Sequence, residues 1–97
     1  MMTEAKDLLF ITHATAAILG LDDMARYPDI DRRVCYPGSV RGGLQCYGTR
    51  EALTDLVTEI NDRATEGADG YDESARNKRI LARAIASLRR RGWTPRP

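Results

Sequence analysis

Apolar residues recur at helical intervals in the middle of the chain. The stripe comprises Leu53, Leu56, Val57, Ile60 and Ala64, which occupy positions i, i+3, i+4, i+7 and i+11 of one helical face. Thr49 lies before this stretch, and a threonine hydroxyl accepts a hydrogen bond from the free amides of a helix's first turn. The pattern therefore predicts an amphipathic helix over 49–65.

A second helical stripe lies near the C-terminus. It consists of Ile80, Leu81, Ala84, Ile85 and Leu88. Gly92 suits the position after a helix, because glycine adopts the left-handed conformation at little cost, and Pro95 excludes a continuation. We predict a helix over 72–91 and a short tail over 92–97.

The N-terminal region, 1–26, is apolar on nearly every side from Leu8 onward. We interpret it as a helix capped by Thr3. One face of this helix would consist of Leu8, Ile11, Ile18 and Leu19, and a second face, of mostly small residues, would consist of Leu9, His13, Ala16, Ala17 and Gly20. A short β-strand across 8–12 is the competing interpretation, since a brief apolar run fits either structure.

The segment 31–47 has the composition of two strands and a turn. Two short runs of β-forming residues, 32–36 and 44–47, flank a stretch that contains Pro37, Gly38, Gly42 and Gly43. We predict a β-hairpin here. Together the elements give an α+β fold, dominated by about three helices, with one hairpin between the first and second helix. We expect residues 1–97 to form a single small domain, because no long linker divides them.

Charge is divided unevenly along the chain, although the formal net charge is only +1. All 14 acidic residues lie in 1–75, whereas 76–97 contains eight basic residues and no acidic one. Regions of one sign commonly bind a partner of the other sign. Four arginines of this segment lie within about 60° of one another on a helical wheel, opposite the apolar stripe. This arginine face consists of Arg76, Arg79, Arg83 and Arg90.

The arginine face and the neighbouring Trp93 are the predicted partner-binding residues. Guanidinium groups bind carboxylates and phosphates, so the partner is a protein or, alternatively, DNA or RNA. Residues 1–75 hold seven more acidic than basic residues, which would repel a polyanion, and the last helix has only Asn77 to read base edges. We favour a protein partner and keep a DNA- or RNA-binding regulator as the alternative. The simplest competing interpretation is a solvated face, or one neutralised by the acidic preceding helix.

Catalytic and metal-binding motifs are absent from the sequence. Zinc needs about four ligands, and His13 is the only soft ligand besides Cys35 and Cys46. The two cysteines could lie opposite each other in the hairpin, where a disulfide would depend on the register. Nothing orients a Cys–His pair for catalysis, and the glycines match no phosphate-binding loop. We expect two reduced thiols and no enzymatic activity, metal or cofactor.

The small-residue face of the first helix is the predicted site of self-association. A domain of this size has too little core to cover two apolar faces of one helix, so one face would pack against a second copy. Its residues are those given above, namely Leu9, His13, Ala16, Ala17 and Gly20. We expect a homo-oligomer, with a dimer favoured.

The longest stretch without charge, 8–21, is shorter than the roughly 20 apolar residues that span a bilayer, and no positive region of a secretion signal precedes it. We therefore expect a cytoplasmic protein without membrane contact. The chain is rich in Arg and Ala and ends Gly-Trp-Thr-Pro-Arg-Pro. In these respects it resembles small accessory proteins of actinobacteria and their phages. The resemblance implies a protein that binds and modulates a host factor, and it transfers no site residue.

Overall fold

The computed structural model of the chain describes residues 7–21, 23, 25–35, 42–65 and 72–96. Its elements in chain order are strand β1 (Asp7–Thr12), helix α1 (His13–Leu19), strands β2 (Asp31–Cys35) and β3 (Gly43–Gly48), and helices α2 (Arg50–Thr65) and α3 (Asp72–Arg90). The predicted α+β, helix-dominated fold is confirmed. The chain forms two compact units: a sheet unit, Met1–Leu53, and a helical unit, Thr54–Pro97. The prediction of one domain over 1–97 stays a prediction.

The sheet unit contains a three-stranded antiparallel sheet in the order β1–β3–β2. β3 pairs with both neighbours, so that Cys46 lies opposite Leu9 of β1 and Arg32 of β2. β1 and β2 therefore run in the same direction, with α1 between them along the chain, which is the split βαβ arrangement. The predicted hairpin is present as β2 and β3.

The interpretation of residues 8–12 as helix is wrong, and the competing strand is correct. Leu9 and Ile11 are buried, whereas Leu8 and Phe10 between them are more exposed, with the two-residue period of a strand. Both faces of this strand carry apolar side chains, so its period is hidden in the sequence. Pairing with β3 favours the strand, because β1 provides backbone hydrogen-bond partners for the edge of β3 that β2 leaves open. The proposed cap, Thr3, lies outside the described residues.

α1 is a two-turn helix with a cap at each end. The hydroxyl of Thr12 accepts a hydrogen bond from the amide of Thr15 (3.3 Å). At the other end Gly20 is left-handed, with a φ of 69°, and the amide of Leu21 donates to the carbonyl of Ala16 (3.0 Å). This is the Schellman ending, in which the residue after the glycine packs back on the helix, and Leu21 is accordingly buried.

The inner face of the sheet, on which α1 lies against β1 and β3, forms the core of the sheet unit. Its buried side chains include Leu9, Ile11 and Cys46. Arg32 anchors the loop between α1 and β2 to the sheet, because its guanidinium group donates to three backbone carbonyls. These belong to Leu21 (2.7 Å), Asp23 (3.0 Å) and Tyr27 (3.0 Å).

The helical unit is built on the two predicted apolar stripes. Its buried side chains are Leu56, Val57 and Ile60 of α2, Leu81, Ile85 and Leu88 of α3, and Trp93. At the start of α2 the hydroxyl of Thr49 accepts from the amide of Ala52 (3.1 Å), as predicted for its cap. The observed bounds of α2 and α3 lie within one residue of the predicted helices.

Candidate functional site

The arginine face lies on the exposed side of α3. All four of its arginines are exposed, whereas Leu81, Ile85 and Leu88 on the opposite side are buried. At 1.5 Å per residue, the face is about 21 Å long. Arg89 and Arg91 are also exposed, so positive charge is densest at the C-terminal end, where the helix dipole favours it.

Acidic side chains of the helical unit pair with other arginines. Glu59 binds Arg63 of the next turn (3.1 Å), and Asp55 binds Arg96 of the tail (2.7 Å). Within the described residues no ion pair involves a member of the arginine face. In this part of the chain, the acidic residues of α2 therefore do not neutralise the face, which is presented to solvent.

Trp93, predicted to bind a partner together with the arginine face, is buried instead. Only 5% of its surface is exposed. Gly92 ends α3 with a φ of 91°, and the amide of Trp93 donates to the carbonyl of Leu88 (2.9 Å). The chain then returns to α2, where the amide of Arg96 donates to the hydroxyl of Thr58 (2.9 Å). Trp93 is thus a core residue of the helical unit and not part of an exposed binding surface.

The signal for this burial was present in the sequence. A glycine that ends a helix is commonly followed by an apolar residue that packs back on the last turn. Gly92 and Trp93 have this relation, and Gly20 and Leu21 repeat it at the end of α1.

The five residues predicted to mediate self-association do not share one face. Leu9 belongs to β1 and is buried in the core, while Gly20 forms the left-handed end of α1. The remaining three, His13, Ala16 and Ala17, line one wall of an open groove of about 450 Å³. The helix that was expected to carry all five extends only over His13–Leu19, because the preceding residues are drawn into the sheet.

Val34 and Leu44 form part of the other wall of the groove. Both lie on the inner face of the sheet, where they pair with each other across β2 and β3. α1 lies over β1 and β3 and leaves β2 uncovered, so that Val34 is 55% exposed. The sequence did not identify Val34 as a surface residue, because its exposure depends on where α1 packs.

Cys35 and Cys46 do not lie opposite each other. Cys35 pairs with Gly43 and Cys46 with Arg32, so the two thiols are on opposite faces of the sheet, and both are free. Burial raises the pKa of the Cys46 thiol to about 11, and the positive charge of Arg32 opposes this only in part. Cys46 is therefore protonated at neutral pH, which disfavours a role as nucleophile or metal ligand.

Two further features, a metal-binding cluster and a membrane-spanning helix, are not found in the described part of the chain. No group of three or more His, Cys, Asp and Glu residues there is placed to hold a metal ion. Among the same residues, no helix has the length and apolar character needed to cross a membrane. No protein family model, curated protein or solved structure matches the chain.

Proposed function

We propose that this chain is a non-enzymatic binding protein whose arginine face binds an acidic surface on a protein partner. The observation that supports this most directly is the exposure of four aligned guanidinium groups that pair with no described acidic residue. Carboxylates match the fork geometry of arginine and can accept two hydrogen bonds from it.

The arrangement of the face has a cost in the isolated protein. Arg79 follows Arg76 by three residues and precedes Arg83 by four, so these like charges are neighbours on the helix surface. Such pairs destabilise a helix by about 0.2–0.5 kcal/mol each. An opposing acidic surface would remove this repulsion on binding, which favours a charged partner over a simply solvated face.

A protein partner fits the helical unit better than nucleic acid. Asp62 of α2 is exposed in the same unit and would repel a polyanion. Because Trp93 is buried, the described residues of this unit offer no accessible aromatic ring on which a base could stack. The resemblance to phage and actinobacterial accessory proteins implies that the partner is a host protein, which remains a prediction, as does a cytoplasmic location.

Replacing the four arginines of the face with alanine tests the proposal. The variant should fold as the wild type does, because the positions are exposed and alanine favours helix. It should lose the proteins that the wild type captures from host lysate, whereas Arg50→Ala, an exposed arginine at the start of α2, should retain them. Replacement by lysine at the same four positions should restore capture only in part, because lysine lacks the planar fork.

The outcomes separate the alternatives. Unchanged capture by the alanine variant would show that the arginine face is a solvated surface. If the wild type instead retards DNA or RNA, with log K falling against log salt at a slope near −3.6 for four neutralised phosphates, the nucleic-acid alternative is correct. A protein partner should show a shallower salt dependence, with the association rate affected more than the dissociation rate.

A further inference from the structure

The outer face of the sheet, turned away from α1, carries three parallel rows of side chains. One row, Thr12, Gly43 and Cys35, consists of small residues, and the other two carry the larger side chains. The Phe10 row crosses β1, β3 and β2 as Phe10, Gln45 and Arg33, and the Leu8 row crosses them as Leu8, Tyr47 and Asp31. The rows are two residues apart on every strand, so all six side chains are on the same side of the sheet. Leu8, Asp31 and Arg33 are exposed, and the other three are half-buried.

Two contacts fix the centre of this surface. The ring of Phe10 lies over Gly43, where an added β-carbon would be only 2.7 Å from the ring's Cζ atom. The hydroxyl of Tyr47 donates to Oε1 of Gln45 on the same strand (2.8 Å). Side chains that are already held in place lose little conformational entropy when they bind, so this surface is preorganised for contact.

The two rows are complementary to each other, position by position. On β1 both members are apolar, Phe10 and Leu8. On β3 an amide faces a hydroxyl, and on β2 the positive Arg33 corresponds to the negative Asp31. A surface with this property can bind a copy of itself, because a two-fold axis makes residue i contact j and residue j contact i.

The required axis can be specified. It lies between two facing sheets, perpendicular to the strands and level with the midpoint between the rows, and it places each row over the other row of the second copy. Phe10 then meets Leu8, Tyr47 meets Gln45, and two equivalent ion pairs join Arg33 to Asp31. A two-fold axis parallel to the strands would instead place Asp31 over Leu8, which would desolvate a carboxylate on an apolar side chain.

We propose that a second copy of this chain packs on the outer face of the sheet, sheet against sheet, to form a symmetric dimer with reciprocal Arg33–Asp31 contacts. This interface differs from the self-association predicted through the first helix, and it does not depend on the arginine face. In the single chain 48% of the Leu8 surface is exposed. In the dimer the Phe10 row of the second copy would cover this surface.

The size of the surface sets the expected strength. Strands about 4.8 Å apart, with six residues rising about 3.4 Å each, give a patch of roughly 14 Å by 20 Å. Stable interfaces bury about 800 Å² per partner, so this dimer is expected to be reversible and to dissociate on dilution. The charged pairs at its β2 edge therefore decide which register forms more than they add to affinity.

Sedimentation equilibrium of the full chain, over a dilution series of roughly two decades in concentration, tests the proposal. The wild type should change from dimer to monomer along the series. Arg33→Asp should weaken association about tenfold or more, because it places Asp31 opposite a second carboxylate, and Asp31→Arg should do so by the mirror-image repulsion. The double variant Asp31→Arg/Arg33→Asp should regain the wild-type dimer, since both ion pairs re-form with reversed polarity.

Mixing the two single variants is the sharpest form of the experiment. One copy then presents two arginines and the other two aspartates, so a mixed dimer should form although neither variant associates well alone. Arg83→Asp makes the same change in net charge on α3, outside the sheet, and should associate as the wild type does. Circular dichroism of each variant checks that it is folded.

Three results would overturn the proposal. A wild type that stays monomeric at every concentration leaves the outer face to a different partner. Association that is unaffected by Arg33→Asp places the interface elsewhere, for example at the groove beside α1. A mixture of folded single variants that does not associate, while the wild type does, excludes the register in which Arg33 meets Asp31.

Discussion

Replacing Trp93 with alanine should strongly destabilise the protein. Trp93 lies beyond the last turn of α3, yet it is 5% exposed and belongs to the core of the helical unit. Removing a buried tryptophan side chain costs about 3–5 kcal/mol, through lost burial and the cavity that remains. Domains of this kind have a total stability of about 5–15 kcal/mol, so a large share would be lost.

The effect is large enough to measure in two ways. For a chain of about this length each 1 kcal/mol lowers Tm by about 4–8 °C, so the melting temperature should fall by about 12–40 °C. Urea unfolding followed by far-ultraviolet circular dichroism gives the free energy directly. Tryptophan fluorescence cannot be used for the variant, because Trp93 is the only tryptophan.

Trp93→Phe provides the matched control. It keeps an aromatic ring in the core and should lose less stability than the alanine variant, by at least about 1 kcal/mol. If Trp93→Ala unfolded within about 0.5 kcal/mol of the wild type, as surface substitutions do, the burial of the tail would be refuted. The sequence-based expectation of an accessible binding residue would then be restored.

Two further substitutions test the sheet. Gly43→Ala should lower the free energy of unfolding in urea by about 3 kcal/mol or more, because a β-carbon there would overlap the carbonyl oxygen of Ile11. At Gly48 the nearest atom to an added β-carbon is 3.2 Å away, so Gly48→Ala should cost about 1 kcal/mol or less. Equal costs at the two glycines would contradict the close approach of β1 and β3. For the Cys46 thiol, the folded pKa of about 11 exceeds the ordinary 9.0, so the folded state holds its proton more tightly. The stability of the wild type relative to Cys46→Ala should be constant below about pH 8 and fall by about 2 kcal/mol between pH 9 and pH 11; a constant difference across that window would contradict the burial of the thiol.

The two long helices could be predicted from the sequence because each has one apolar side. In α2 and α3 the buried residues recur at helical spacing and mostly polar or charged residues occupy the other faces, so the helical period is explicit. The caps added independent support, because the hydroxyl of Thr49 accepts a hydrogen bond from the first turn of α2 and Gly92, without a side chain, adopts the left-handed conformation that ends α3.

The N-terminal segment could not be assigned in this way. Leu8 and Phe10 on the outer face are as apolar as Leu9 and Ile11 on the inner face, so neither a two-residue nor a helical period stands out. The deciding factor is non-local, since the backbone partners of β1 lie on β3, far along the chain. A single residue, Thr12, then ends the strand and caps the following helix.

The candidate surfaces were predictable to different degrees. The position of the arginine face on α3 follows from the helical period alone, and in the structure its four arginines are exposed. The outer face of the sheet was not predicted, because its rows combine residues from three strands whose register the sequence does not determine. The same register separates Cys35 from Cys46, which hairpin composition alone had left open.

The position of β3 between β1 and β2 has a consequence for the order of folding. β2 and β3 are joined through residues 36–42, whereas β1 reaches β3 only after residues 13–42 have been closed into a loop. The entropy cost of closure grows with loop length, and pairing between distant segments slows folding. We therefore expect β1 to join last. Until it does, the open edge of β3 can pair with another nascent chain, so the interval before β1 docks is when this protein is most exposed to aggregation.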